Sequence, residues 1–151
     1  MPLTGIRIID LTRIIAGPFC TLMLADMGAE IIKIEPPKDG DPLRAQGVIK
    51  DGLSWYYASY NRNKKSLTLD LYSEAGKSIL SELIKTSDVV VENFRPGVMD
   101  KMGFGYNRLK ELRPDIIYCG ITGFGKSGPY KNRPAFDFIA QAMSGFMSVN
   151  G

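Results

Sequence analysis

Short apolar runs alternate with amphipathic segments along the chain. This predicts an α/β protein with a doubly wound, mostly parallel sheet. Two observations carry the prediction. Ile6–Leu11 (IRIIDL), Val89–Val91 and Ile116–Ile121 (IIYCGI) are dense in β-branched residues, the composition of strands covered on both faces. Between such runs lie segments with helical punctuation, best seen where Ser73 stands as N-cap before Glu74–Lys85. Ile79, Leu80, Leu83 and Ile84 form an amphipathic stripe on that helix.

In order, Ile6–Leu11 is the first strand, with polar Asp10 and Thr12 at its end. Pro18 suits the first position of a helix, because its missing N–H would be unpaired there anyway. Phe19, Leu22, Met23 and Met27 then give that helix one apolar face. Free amides at its start could receive a phosphate or a carboxylate. An ordinary strand-to-helix connection fits the same residues equally well. Gly28 stops the helix, and Glu30–Glu35 (EIIKIE) is the second strand, closed by Pro36-Pro37.

Lys38–Leu53, rich in Lys, Asp, Gly and Pro, reads as a long irregular segment, of a length usually functional or disordered in compact domains. Ser54–Tyr60 (SWYYASY) packs aromatics just before Asn61-Arg62-Asn63-Lys64-Lys65. Such rings can stack on a purine while the cations meet phosphates. A core-facing helix with a basic cap is the plainer reading, and this stretch alone favours it. Ser66–Leu71 (SLTLDL) alternates as a half-buried strand does. After the strand Asp88–Val91 come a helix over Tyr106–Leu112, ended by Pro114, the strand Ile116–Ile121, and a helix over Phe138–Met147. No internal repeat interrupts this order.

At 151 residues the chain can bury roughly 70% of its unfolded surface in one domain. Nineteen Lys and Arg against sixteen Asp and Glu leave a net charge of +3. That suits a phosphate-bearing small molecule, and it is too weak to argue for a nucleic-acid partner. Cys20 and Cys119 read as belonging to a helix and a buried strand, with no disulfide framework, so a reducing cytoplasm is expected. No signal peptide or run of eighteen apolar residues is seen, so neither export nor a membrane partner is expected. Histidine is absent, which removes imidazole acid–base chemistry and the commonest metal ligand; no metal site is expected.

The stretch Asp88–Phe104 (DVVVENFRPGVMDKMGF) is the first place to look for a site. An apolar strand there gives way to a polar crest, Glu92-Asn93-Phe94-Arg95, before Pro96-Gly97 turns the chain. Ligands of open α/β sheets bind at the carboxyl ends of the strands. Two other motifs fail on context. Gly120–Ser127 (GITGFGKS) matches the phosphate-cradling G-x-x-x-x-G-K-S pattern, but Gly128-Pro129 and Pro134 break the helix such a loop must enter. Gly123, Gly125 and Gly128 match the dinucleotide spacing, yet no Asp or Glu follows Asp137 to take the ribose.

Several segments, in the same order, resemble the N-terminal part of the family III CoA-transferases. They are LTGIRIIDLTRIIAGPFCTLMLADMGAEIIKIEPP, GDPLR, NRNKKSLTLDL, DVVVENFRPGVMDKMGFGY and GITGFGKSGPYKNRPAFDFIAQAMSG. The resemblance implies that residues 1–151 are the N-terminal portion of a Rossmann-like, CoA-binding large domain. Members are longer, so a second domain and a C-terminal return are expected outside this chain. It also implies an interlocked homodimer, with an acyl-CoA and a carboxylic acid as substrates. Coenzyme A is then a substrate, and no tightly bound cofactor is expected. An aspartate would attack the acyl-CoA and pass through a mixed anhydride to an aspartyl-CoA thioester.

Residue by residue, the resemblance places Ile15 and Ala16 at a first CoA loop. Leu69, Asp70, Leu71 and Tyr72 fall at a second, and Asn93, Phe94 and Arg95 at a third. Lys101 stands where some members have an arginine over the CoA phosphates, which keeps the charge and loses the bidentate fork. Pro36 replaces a CoA-binding arginine and Ile15 a glutamine, so a formyl- or oxalate-specific pocket is not expected. The nucleophilic aspartate of the family falls beyond Gly151. Asp137 matches an auxiliary carboxylate, although it also stands where a helix N-cap would. The α-methylacyl-CoA racemases of the same family carry a histidine where this chain has Phe136. Without an imidazole there, transfer is favoured over racemisation. A CoA- or nucleotide-binding fragment without chemistry is the remaining alternative, and these 151 residues alone are expected to be inactive.

Overall fold

The structure is a computed structural model and describes residues 1–150. Along the chain run β1 (Arg7–Asp10), α1 (Ala16–Asp26), β2 (Glu30–Glu35), a 3-10 turn (Pro42–Ala45), β3 (Ile49–Lys50), β4 (Leu53–Ser54), α2 (Trp55–Asn61) and β5 (Lys65–Thr68). Then follow α3 (Glu74–Lys85), β6 (Val89–Glu92), α4 (Val98–Lys101), α5 (Tyr106–Leu112), β7 (Ile117–Gly120), α6 (Asp137–Met143) and α7 (Phe146–Asn150).

The main sheet runs β5-β2-β1-β6-β7, and every neighbouring pair is parallel. The chain steps outward from β1 through β2 to β5, then crosses back to lay β6 on the other side of β1. This is the doubly wound, Rossmann-like arrangement expected from the alternation of elements. Strand residues alternate between two cores. Ile8, Ile31 and Val91 pack with Ala25 of α1 on one face. Ile9, Ile34 and Val90 pack with Leu80 and Ile84 of α3, Met99 of α4 and Leu109 of α5 on the other.

Local chemistry explains the best-read helix. The Ser73 hydroxyl accepts from the Gly76 N–H, capping α3 where expected, and the helix spans Glu74–Lys85. Leu80 and Ile84 are fully buried, whereas Ile79 faces solvent. Elsewhere tertiary packing overrides the pattern. The buried residues of α1 are Gly17, Pro18, Thr21, Leu22 and Ala25, while Phe19, Met23 and Met27 lie exposed. Small residues face the sheet there because the helix sits close to it. Pro18 occupies the third helical position rather than the first.

The segment 38–53 is not wholly irregular: it holds the 3-10 turn and the β3–β4 hairpin. Strand β7 is an edge, with Ile117 exposed, not the buried strand its composition implied. The last helix is two, broken at Gly145 in a left-handed conformation (φ 80°). Neither α6 nor α7 has a buried residue. No helix among the described residues is long and apolar enough to cross a membrane.

Candidate functional site

The sheet reverses its winding between β1 and β6. The loop after β1 leads into α1 on one face, and the segment after β6 leads into α4 and α5 on the other. The two connections thus leave the sheet toward opposite faces, and this switch point is the usual ligand site of such sheets. The helix α1 begins there with open amides. Its N-cap is Ile15, no side chain caps it, and its first turn has no acid. The macrodipole and these unpaired N–H groups favour an anion at that end.

The loop between β1 and α1 is held with unusual completeness. Thr12 N donates to Asp10 Oδ1 at 2.9 Å, and Lys33 Nζ donates to the Thr12 carbonyl at 2.8 Å. Asn93 spans Arg13, accepting from its N–H at Oδ1 and donating from Nδ2 to its carbonyl, both at 2.8 Å. Ile14 N donates to Asp41 Oδ1 at 3.0 Å. Ile14 itself adopts φ 68°, a left-handed conformation that a β-branched residue takes only under constraint.

Behind the loop lies a buried charged network on the α1 side of the sheet. The Lys33 ammonium is 3.0 Å from Asp41 Oδ2, a charge contact off the line of a directed hydrogen bond. Lys64 Nζ reaches Asp10 Oδ2 (3.1 Å), the Pro18 carbonyl (2.9 Å), Thr21 Oγ1 (2.8 Å) and Asn61 Oδ1 (3.0 Å). Burial pulls the Lys64 ammonium pKa down, against the opposing pull of Asp10. Glu35 gathers Arg44 Nε (2.7 Å), Tyr57 Oη (2.7 Å), Ser66 Oγ (3.1 Å) and the Asp41 N–H (2.9 Å). Burial pushes its carboxyl up, but Arg44, the Asp41 amide and Tyr57 outweigh that and bring it down to about 2.

Gly17 shows how tightly α1 starts against this loop. A Cβ added there would lie 2.3 Å from Thr12 Cβ. Gly17→Ala is expected to destabilise the protein by about 1–3 kcal/mol, the usual range for overpacking, read from its urea midpoint. A loss under about 0.5 kcal/mol would mean that the helix start can shift freely.

Of the residues singled out from sequence, the structure brings two groups together. The Arg13–Asn93 contact joins the crest of Ile15 and Ala16 to that of Asn93, Phe94 and Arg95, and the Arg13 guanidinium lies 5.2 Å above the Phe94 ring. The crest of Leu69–Tyr72 follows β5, two strands from β1. Leu69 and Leu71 point into the core shared with Leu11, and Phe94 packs against that core. Asp70 Oδ1 accepts from the Tyr72 N–H, and the Tyr72 ring is exposed. Arg95 turns the other way, into a cleft of about 240 Å³ over β6 and β7. Lys101 is exposed and does not line this cleft. Asp137 opens α6, where its carboxylate accepts from Gln141 Nε2 and caps nothing.

The cleft joins Arg95 to residues that the sequence did not assign to a CoA contact. Arg95, Lys126 and Lys131 line it, with Asp100, Tyr106 and Tyr118. Lys126 Nζ sits 4.1 Å above the Tyr118 ring, and Tyr118 Oη donates to Glu92 Oε1 at 2.6 Å. Burial, then this carboxylate, pushes the Tyr118 phenol pKa up, so it stays protonated as a donor. Among the described residues, 121–136 form no helix, so Lys126 reaches the cleft from an irregular loop and not from a phosphate-cradling helix start. Only the lysine in a Gly-rich stretch beside a strand end hinted at this.

The geometry has close counterparts among solved structures. A CaiB/BaiF family protein from Brucella suis superposes with a TM-score of 0.94 at 42% identity, over 100% of this chain and 41% of that one. The Mycobacterium tuberculosis protein Rv3272 does so with a TM-score of 0.87 at 41% identity, over 96% and 40%. The human succinyl-CoA:glutarate CoA-transferase is 48% identical over 99% of this chain and 34% of its own length. The acetyl-CoA:oxalate CoA-transferase of Acetobacter aceti is 46% identical over 99% and 39%. The formyl-CoA:oxalate CoA-transferase of Streptomyces coelicolor is 49% identical over 99% and 36%. The chain thus spans between a third and two fifths of the length of these curated relatives. Because the model described as CoA-transferase family III matches residues 3–151, the chain belongs to CoA-transferase family III.

Proposed function

We propose that the protein moves coenzyme A between an acyl-CoA and a carboxylic acid, with these residues forming the part that holds CoA. The observation carrying this reading is the switch point of the sheet, where the β1 and β6 crests meet. There an uncapped helix start meets a fixed loop, and Arg95, Lys126 and Lys131 line an adjoining cleft. Against the acids Glu92 and Asp100 in the same lining these cations leave a net positive charge, which suits a nucleotide carrying several phosphates, and an acyl-CoA is such a molecule. The named relatives use succinyl-CoA, acetyl-CoA or formyl-CoA with dicarboxylic acids, so a small acyl-CoA and a short dicarboxylate are the substrate classes to test.

The chemistry proposed is covalent catalysis by an aspartate outside these 151 residues. Its carboxylate attacks the acyl-CoA carbonyl and expels CoA thiolate, forming a mixed anhydride. The thiolate attacks the aspartyl carbonyl, releasing the donor acid and leaving an aspartyl-CoA thioester. The acceptor carboxylate repeats these two steps in reverse order and regenerates the aspartate. Asp137 is the auxiliary carboxylate in this scheme. Racemisation would need a base beside it, and Phe136 has none. An interlocked homodimer and a cytoplasmic location belong to the same proposal; the uncovered apolar side chains of α6 and α7 (Phe138, Met143, Phe146, Met147) suit an extensive interface.

The test uses the full-length protein. Incubated with succinyl-CoA and a panel of short dicarboxylic acids, it should yield new acyl-CoA products by chromatography, and CoA should bind by calorimetry. Arg95→Ala and Lys126→Ala should each raise the CoA Kd about tenfold, the loss of one charge-assisted contact. Absence of both CoA binding and exchange would remove the proposal.

A further inference from the structure

We infer that Asp41 is a positioning residue: it holds Ile14 in its left-handed conformation and thereby sets the loop 12–16 in binding shape before any ligand arrives. This rests on the reading of that loop as part of the CoA site. Asp41 lies in the Gly-Asp-Pro-Leu-Arg segment, 27 residues from Ile14, and is fully buried. Its Oδ1 accepts from the Ile14 N–H and from the Leu43 N–H, both at 3.0 Å. Its own N–H is fixed by Glu35 Oε2, and its Oδ2 faces the Lys33 ammonium.

The loop's backbone is thus held on successive residues by side chains from separate parts of the fold. Asp10 takes Thr12 N, Lys33 holds the Thr12 carbonyl, Asn93 takes both polar groups of Arg13, and Asp41 takes Ile14 N. Left-handed isoleucine is unfavourable in isolation, so this shape persists only because its surroundings over-determine it. Without Asp41, the Ile14 N–H loses its side-chain acceptor and the loop can relax to an ordinary conformation. CoA must then select the competent shape from a smaller population, which weakens apparent affinity by that fraction. Glycine adopts this conformation without strain. In an Ile14→Gly background, then, the loop depends much less on Asp41.

Four forms of the full-length protein test this: wild type, Asp41→Ala, Ile14→Gly and the double variant. Asp41→Ala should raise the CoA Kd about tenfold by calorimetry and speed hydrogen exchange in the peptide covering 12–16. With Ile14→Gly as its own reference, Asp41→Ala added to it should raise the Kd less than threefold further. An equal loss of affinity in both backgrounds would make Asp41 merely structural and overturn the inference. So would unchanged affinity in Asp41→Ala while wild type binds CoA. Wild type failing to bind CoA would instead overturn the proposed function, and this inference with it. Should Asp41→Ala not fold, Asp41→Asn keeps the acceptor for Ile14 N while losing the charge facing Lys33. Its Kd should stay within threefold of wild type despite a lower midpoint, and a tenfold loss would overturn the inference.

Discussion

Lys64→Met is expected to cost the full-length protein about 3–5 kcal/mol, the largest effect of any single substitution considered. The side chains of Lys64 and Asp10 are 1% and 0% exposed. Removing the ammonium leaves the Asp10 carboxylate buried with only hydroxyl and amide partners, Thr12 and Thr21. It also frees the Pro18 carbonyl and Asn61 Oδ1, which Lys64 ties together between α1 and α2. Urea unfolding at neutral pH measures the loss. Adding Asp10→Asn should recover part of it, because the stranded charge is gone. A single-variant loss below about 1 kcal/mol would show that water or rearrangement satisfies Asp10.

The second large effect lies at Glu35. Its carboxyl drops from an ordinary value of 4.5 to about 2 in the folded protein. A folded value below the unfolded one means the unfolded chain takes up the proton first as pH falls. The stabilisation is therefore complete above about pH 4.5 and disappears as pH approaches 2, in all about 3 kcal/mol. Glu35→Gln should accordingly cost about 3 kcal/mol at pH 7, since Arg44, at 2.7 Å, loses its anionic partner. Its disadvantage against wild type should shrink steadily as urea titrations are repeated from pH 5 to pH 3. A gap independent of pH would mean the carboxylate's charge is not what holds this corner.

Both effects arise where the sequence was only partly readable. Helix α3 was legible to the residue because its Ser73 cap and its Leu80–Ile84 stripe are local chemistry. The sheet was legible because alternating elements leave few ways to cover both faces. Helix α1 was misread, since size and not hydropathy selects its inner face: Gly17, Thr21 and Ala25 permit close approach, and Thr21 reaches Asp10 at 2.6 Å. The network behind the site had a visible signal in Asp10, Lys33 and Glu35, charges set inside otherwise apolar strands. Their pairing was not visible, because it depends on the β1–β2 register, which sets Asp10 beside Lys33, and on two distant partners, Lys64 and Asp41. Lys126 was discounted with its motif because no helix follows. What sequence could not supply was that the loop folds over the β7 crest.

The enclosed ammonium groups also bear on chemical damage. Thioesters acylate free lysine amines without any catalyst, and under the proposed function this protein would meet them constantly. Lys33 and Lys64, each with only 1% of its side chain exposed, are closed to an approaching electrophile while the fold is intact. Lysines on the outer surface, Lys65 among them, stand open to that modification. The lysines that brace the loop after β1 are thus shielded from that modification.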